Sequence, residues 1–259
     1  MTGAFGSWDA ERVLRAMFVA QCGLAVLVAA GDLPAALFSA LDAPPQAPQT
    51  DIPVAPGDQT RRFDPRRLPT DRPAAPGFPR DETVPPQLTF QTAEIGDLTG
   101  VLLVTGEIAE GDARRFAAHL EGLAEPPTVI ALHSPGGLVH EALDIGRQVR
   151  AAGLPTAVLS GASCFSACPY ILAGGTDRTV SGAGRVGVHQ HYFDENTYLP
   201  AFLAVSDIQA GQAEVMAFLN GMGIDPMLME KALLTRPDDI YILLPEELTG
   251  FRLATDLTD

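Results

Sequence analysis

The sequence predicts an α/β fold with a mostly parallel sheet, preceded by an N-terminal membrane helix and a disordered linker. Three observations carry this. From about Leu88 onward, short apolar runs of β type alternate with helical runs, the pattern of repeated ββα and βαβ units. Residues 43–88 hold twelve of the chain's 22 prolines, six acidic residues and six arginines, with almost no apolar periodicity. Such a stretch buries too little apolar surface to offset its ordering entropy. Ala16–Ala30 carries no charge and follows Arg12 and Arg15. The organisation expected is therefore a signal anchor or transmembrane segment over 1–42, a linker over 43–88 and a folded domain over 89–259.

The 15-residue apolar run would make about 22 Å of helix, short of the ~30 Å hydrocarbon core. Counting on to Leu41 lengthens it but takes in Asp32 and Pro34. Arginines ahead of an apolar run fit a signal anchor held with its basic end on the cytoplasmic side; a buried amphipathic helix is the alternative. In the domain, Gly100–Ile108 reads as a strand. Asp112 is an N-cap for a helix to Leu123, with Phe116, Leu120 and Leu123 on one face. Thr128–Leu132 is a buried strand. Leu138–Ala152 is a helix on Leu138, Ala142, Ile145 and Val149, stopped by Gly153 and Pro155. Thr156–Leu159 is a strand, and a helix from near Ser166 ends at Gly174-Gly175. Strands at Arg178–Val180 and Arg185–Gln190 lead into a polar, aromatic loop, His191–Tyr198. Helices over Ala201–Met222 and Pro226–Leu234 and a strand at Ile240–Leu244 complete the chain.

A net charge of −15 argues against a nucleic-acid partner, which clustered Lys and Arg would have to bind. Three cysteines form no zinc-type spacing and too small a set for a disulfide scaffold, and no metal or cofactor is expected. Two turns stand out, His133-Ser134-Pro135-Gly136-Gly137 and Ser163-Cys164-Phe165-Ser166-Ala167-Cys168. Each follows a β-like run and opens a helical one, so each presents backbone amides with no internal partner. A serine beside such amides is the skeleton of an acyl-transfer site, provided a base removes its proton. His119 is expected on a solvent-facing helix side, His133 precedes the glycine turn, and His140 lies on an exposed face. His189 ends an apolar strand at the edge where open α/β sheets place their sites, which makes it the best-placed base, with His191 next. Asp238 and Asp239 are the candidates to orient its ring.

These residues together carry a resemblance. Gly106–Phe251 resembles the Clp protease proteolytic subunit, within the wider Clp/crotonase superfamily. Leu132–Gly137 is similar to that family's Asn-Ser-Pro-Gly-Gly turn, and Gly161–Gly175 to its nucleophile segment. Arg185–Gln190 is similar to its Arg-Val-x-Ile-His-Gln strand, and Asp239–Glu246 to its Asp-x-Phe-x-x-x-Pro-Glu pattern. The resemblance implies a Clp/crotonase-like fold and a serine hydrolase acting on peptides or proteins. Its triad would be Ser166, His189 and Asp239, with Gly137 and Ala167 supplying the oxyanion hole. The ring-building handle of the Clp subunit is not recognisable between His191 and Gly221, which leaves any homo-oligomer of another kind. The apolar segment and linker make the chain more similar to exported, membrane-tethered relatives, anchored in the inner membrane with the domain in the periplasm.

Cys164 and Cys168 stand four apart across a helix start, close enough for a disulfide in an oxidising compartment; two small buried thiols are the alternative. Two other readings of function remain at this stage. Lys231, the only lysine, would be the base of a Ser–Lys dyad of the signal peptide peptidase type. A non-catalytic scaffold or peptide-binding module at the membrane would use the aromatic loop Tyr192, Phe193 and Tyr198 as its contact surface.

Overall fold

The computed structural model describes residues 12–24, 26, 58–79, 83–191 and 201–259, without the side chains of 201–204. It divides into two units, Met1–Ala47 and Pro48–Asp259. In the first, helix α1 covers residues 12–24, and Leu14, Met17, Phe18, Val19 and Leu24 are exposed on it. No helix among the described residues is long and apolar enough to cross a membrane. The remainder of the expected anchor, the linker before Asp58 and the aromatic loop with Tyr192, Phe193 and Tyr198 lie outside the described residues.

The second unit runs β1 (Thr60–Arg62), β2 (Thr89–Ile95), β3 (Leu98–Thr105), α2 (Asp112–Gly122), β4 (Val129–His133) and α3 (Val139–Ala151). It continues with β5 (Thr156–Val158), β6 (Ser163–Phe165), α4 (Cys168–Gly174), β7 (Arg178–Ser181), β8 (Arg185–Val188) and α5 (Ala201–Gly221). It ends with α6 (Leu228–Leu234), β9 (Asp239–Ile242), α7 (Pro245–Gly250) and β10 (Asp256–Thr258). The expected mostly parallel sheet is present with the order β10-β7-β5-β4-β3-β2, antiparallel only at β2–β3. Val101–Val104 of β3 and Ile130–Leu132 of β4 are buried throughout, as strands covered on both faces must be. Phe116 of α2 and Ala142, Ile145 and Val149 of α3 pack into the same core.

Three expectations change. First, the strands do not form one sheet. A second sheet, β1-β9-β8-β6, carries the serine and histidine segments. The bridge between Ser134 and Cys164 joins it to the end of β4.

Second, the expected linker over 43–88 is ordered from Asp58 wherever it is described. Strand β1 pairs antiparallel with β9, and Phe63, Leu68 and Phe78 are buried. Asp71 forms a two-pronged ion pair with Arg185 at 2.6 and 2.5 Å. Its described apolar residues are few, but Phe63, Leu68, Phe78 and Leu88 are buried and Ala74, Ala75 and Val84 pack against the buried clusters. Its prolines also leave the unfolded chain less conformational entropy to lose.

Third, Asp112 is not the cap of α2. Gly111 occupies that place at φ 84°, while the buried Asp112 carboxylate accepts the amides of Leu88 at 3.0 Å and Ala109 at 2.8 Å. His119 is half-buried rather than solvent-facing, lying against the Phe90 ring.

Each buried apolar side chain of residues 58–79 contributes roughly 1.5–3 kcal/mol. The three together are comparable to the whole stability of an ordinary domain. A chain beginning at Asp58 is therefore expected to melt as the full chain does. One beginning at Leu88 should melt at least about 10 °C lower or not fold, as circular dichroism melting will show.

Candidate active site

The site forms where β4 and β6 end. The backbone of Ser166 lies at φ 60°, a left-handed conformation rare for a residue with a side chain. It is held there from several directions. The Ser166 amide donates to the Gly187 carbonyl of β8 at 3.0 Å. The Phe165 amide donates to Ser134 O at 3.0 Å, and the Ser134 amide to Ser163 O at 2.8 Å. A disulfide joins Cys164 to Cys168 across the turn, with their Cα atoms 5.1 Å apart and both residues fully buried.

The glycine turn is shaped to fit against this elbow. Gly136 has φ 99°, and a Cβ added there would lie 2.5 Å from Ser166 Cβ and 2.8 Å from the Ala167 nitrogen. Gly137 has φ 141°, and a Cβ there would strike the Ile108 carbonyl at 2.2 Å. Ser134 Oγ donates to Gly106 O at 2.6 Å and accepts the Gly136 amide at 3.1 Å, which fixes the turn. The Gly136 carbonyl accepts the Ile108 amide at 2.7 Å. In a trans peptide the next N–H points the opposite way, so the Gly137 amide is directed away from Ile108. Neither that amide nor the Ala167 amide has a partner among the described residues. The two predicted oxyanion donors are thus both free, and Gly136 sits against Ser166 and Ala167.

His189 follows β8, is 6 % exposed and stands beside Ser166. Its Nδ1 lies 2.9 Å from the Pro237 carbonyl and its Nε2 lies 2.7 Å from Ser166 Oγ. A carbonyl only accepts, so Nδ1 carries the proton and donates to Pro237 O. That leaves Nε2 bare, and the serine hydroxyl donates to it. Burial, foremost, holds the imidazole pKa below its ordinary 6.5, opposed by the Pro237 carbonyl and by the charge of Asp238. The ring is therefore neutral at pH 7, as a general base must be.

Asp239 does not join this pair. Its Oδ1 accepts Arg62 Nη1 at 3.0 Å. The cause is strand parity. Continuing the β8–β9 register sets His189 opposite Ile240, and paired residues share a face. Asp239, the next residue along β9, points to the other face, where its β1 partner Arg62 meets it. The orienting acceptor is instead the main-chain oxygen of Pro237, which side-chain reasoning does not search for. Phe63 was missed as well. Its ring stands edge-on to His189, with centroids 5.0 Å apart, and to Phe165 at 6.2 Å. Its only sequence signal is an isolated aromatic in a proline-rich stretch.

The other candidates lie apart from this pair. His191 Nε2 is 2.9 Å from the Tyr170 hydroxyl. Lys231 pairs with Glu247 at 3.1 Å and lies over the Tyr241 ring. One set of potential metal ligands occurs among the described residues, Glu110, His140 and Glu141, but both Glu141 oxygens already accept the amides of Gly111 and Ala113. His133 is buried under Phe78, and its Nδ1 accepts the Ser163 amide at 3.1 Å. No protein-family model matches the chain, and no curated protein matches it significantly.

Two outcomes are expected. The disulfide closes a short loop and is worth about 2 kcal/mol by chain entropy, so the Cys164→Ala/Cys168→Ala double variant should unfold in urea with that loss. Burial depresses the His133 pKa from 6.5 to about 4. As pH falls, the unfolded chain takes up this proton first. The contribution is therefore complete above pH 6.5 and is lost by about 3 kcal/mol as pH drops to about 4. His133→Asn should flatten the pH dependence of stability across that interval.

Proposed function

We propose that this chain is a serine hydrolase of the Clp protease type, within the Clp/crotonase superfamily, acting on a peptide or protein substrate. The observation that carries the reading is the 2.7 Å contact between Ser166 Oγ and a His189 Nε2 left bare by its Nδ1–H bond to Pro237 O. Ser166 attacks the scissile carbonyl carbon while His189 takes the hydroxyl proton. The oxygen, now negative, is held by the amides of Gly137 and Ala167, whose backbones do not reorganise during the step. His189 then gives its proton to the leaving amine, and water repeats the sequence on the acyl-enzyme with the same base. This is a Ser–His pair oriented by a carbonyl, with Asp239 serving the fold through Arg62. The disulfide beside the nucleophile supports an oxidising compartment, in keeping with a domain exported beyond an inner membrane and tethered by residues 1–42.

A fluorophosphonate probe should label the wild type, and Ser166→Ala should abolish labelling. His189→Ala should slow it by roughly a thousandfold or more. Asp239→Asn should stay within about fivefold of wild type, because it removes one half-exposed ion pair and no contact to the imidazole. Lys231→Ala should label as wild type. A folded wild type that does not label would overturn the reading in favour of a non-catalytic module.

A further inference from the structure

We propose that Phe63 is a positioning residue for this site, one ring set edge-on against both Phe165 and His189 that fixes the distance between the serine hydroxyl and the imidazole. The inference rests on the hydrolase reading above and extends the site to a strand that the sequence assigns to the linker.

The need for such a residue follows from the acceptor at Nδ1. Where a carboxylate holds a catalytic imidazole, the hydrogen bond is charge-assisted and roughly twice as strong as a neutral one. Pro237 O is neutral. Two in-plane hydrogen bonds, at Nδ1 and Nε2, also leave the ring free to tilt about the line joining them. Phe63 opposes that tilt. Its ring lies 5.0 Å from the imidazole at 73° and 6.2 Å from the Phe165 ring at 83°. Phe165 is the residue immediately before the nucleophile, so one side chain packs against both the base and the side chain next to the serine.

Phe63 is itself fixed. Its amide donates to Asp238 O at 2.9 Å, it continues β1 along β9, and it clusters with Leu68, Phe165 and Ile240. It is 8 % exposed and the imidazole it packs against is 6 % exposed, so each ring covers part of the other from water.

The groups that act on the imidazole charge can be named from each side. Ser166 faces it from the elbow, and the main chain of Pro237, Asp239 and Arg236 and the charge of Asp238 from the connection into β9. His191, bonded to Tyr170, faces it from its own run. Asp239 is held by Arg62 on the opposite face. Phe63 adds no charge, so its removal acts through packing and hydration alone.

The test uses the full chain with Phe63→Leu, which keeps an apolar side chain in the slot, alongside Phe63→Ala and Arg62→Ala. Two readouts are taken. Imidazole NMR titration follows His189 directly, whether or not the protein is active. Fluorophosphonate labelling over a range of probe concentrations separates probe binding from inactivation rate. In folded Phe63→Leu, the His189 midpoint should rise toward 6.5 as water reaches the ring. The inactivation rate should fall about tenfold with probe binding unchanged, and Phe63→Ala, where it folds, should go further. Arg62→Ala, which loosens the same strand and leaves the ring, should keep the wild-type midpoint.

A folded Phe63→Leu with the wild-type midpoint and a rate within about twofold would overturn the proposal. So would Arg62→Ala reproducing the loss, since strand docking rather than the ring would then be responsible. A wild type that does not label would overturn the hydrolase reading instead, and the titration would still report whether Phe63 governs His189.

Discussion

The left-handed backbone at Ser166 is the constraint on which the rest of the site depends. A residue with a side chain resists that conformation by about 1–3 kcal/mol, so it persists only where the surroundings over-determine it. Here they do so from three sides. Gly187 of β8 takes the serine amide, Ser134 at the end of β4 takes the amide before it, and the Cys164–Cys168 disulfide closes the turn. The glycine turn adds a steric condition, because any side chain at position 136 would occupy the space of Ser166 Cβ. Two sheets must meet at this point for the hydroxyl to be presented. The bridge between Ser134 and Cys164 is where they do.

The orientation of the base follows from a simpler rule. Side chains alternate along a strand, and paired residues share a face. Once β8 and β9 are in register, His189 belongs to the face of Ile240, and Asp239 is excluded from it. The carboxylate is then stabilised by Arg62, while the imidazole finds its acceptor in the Pro237 carbonyl. A neutral acceptor still selects the right tautomer, since only the Nδ1–H form leaves Nε2 free for the serine. What it supplies less strongly is rigidity. That falls to packing, and burial at the same time keeps the ring neutral near pH 7.

Much of this was legible in the sequence, for reasons that differ from residue to residue. Buried strands such as Val101–Val104 and Ile130–Leu132 announce themselves as continuous apolar runs. Ser166 and His189, with the free amides of Gly137 and Ala167, stand in local motifs whose turn chemistry is written in the chain. Strands β2 and β10 were missed because edge strands keep exposed positions and lack such runs. Asp239 was misassigned because register is a property of two strands, one of them 177 residues away in the chain at the Arg62 contact. Pro237 O was invisible because every residue has a carbonyl, and only geometry singles one out.

The segment from Asp58 shows why composition misplaces a domain boundary. Prolines, arginines and aspartates suggest a chain that cannot collapse, and on average that is right. Folding against a preformed surface is a different problem from forming a core. The segment needs only enough apolar contacts to offset an ordering cost that its prolines have already reduced. Phe63, Leu68 and Phe78 supply the contacts, and the paired Asp71 and Arg185 tie the segment to the start of β8. One of those few contacts falls on the imidazole itself. A stretch that composition assigns to the space between domains therefore forms a wall of the candidate site, and the residues from Asp58 onward cannot be removed without opening that wall.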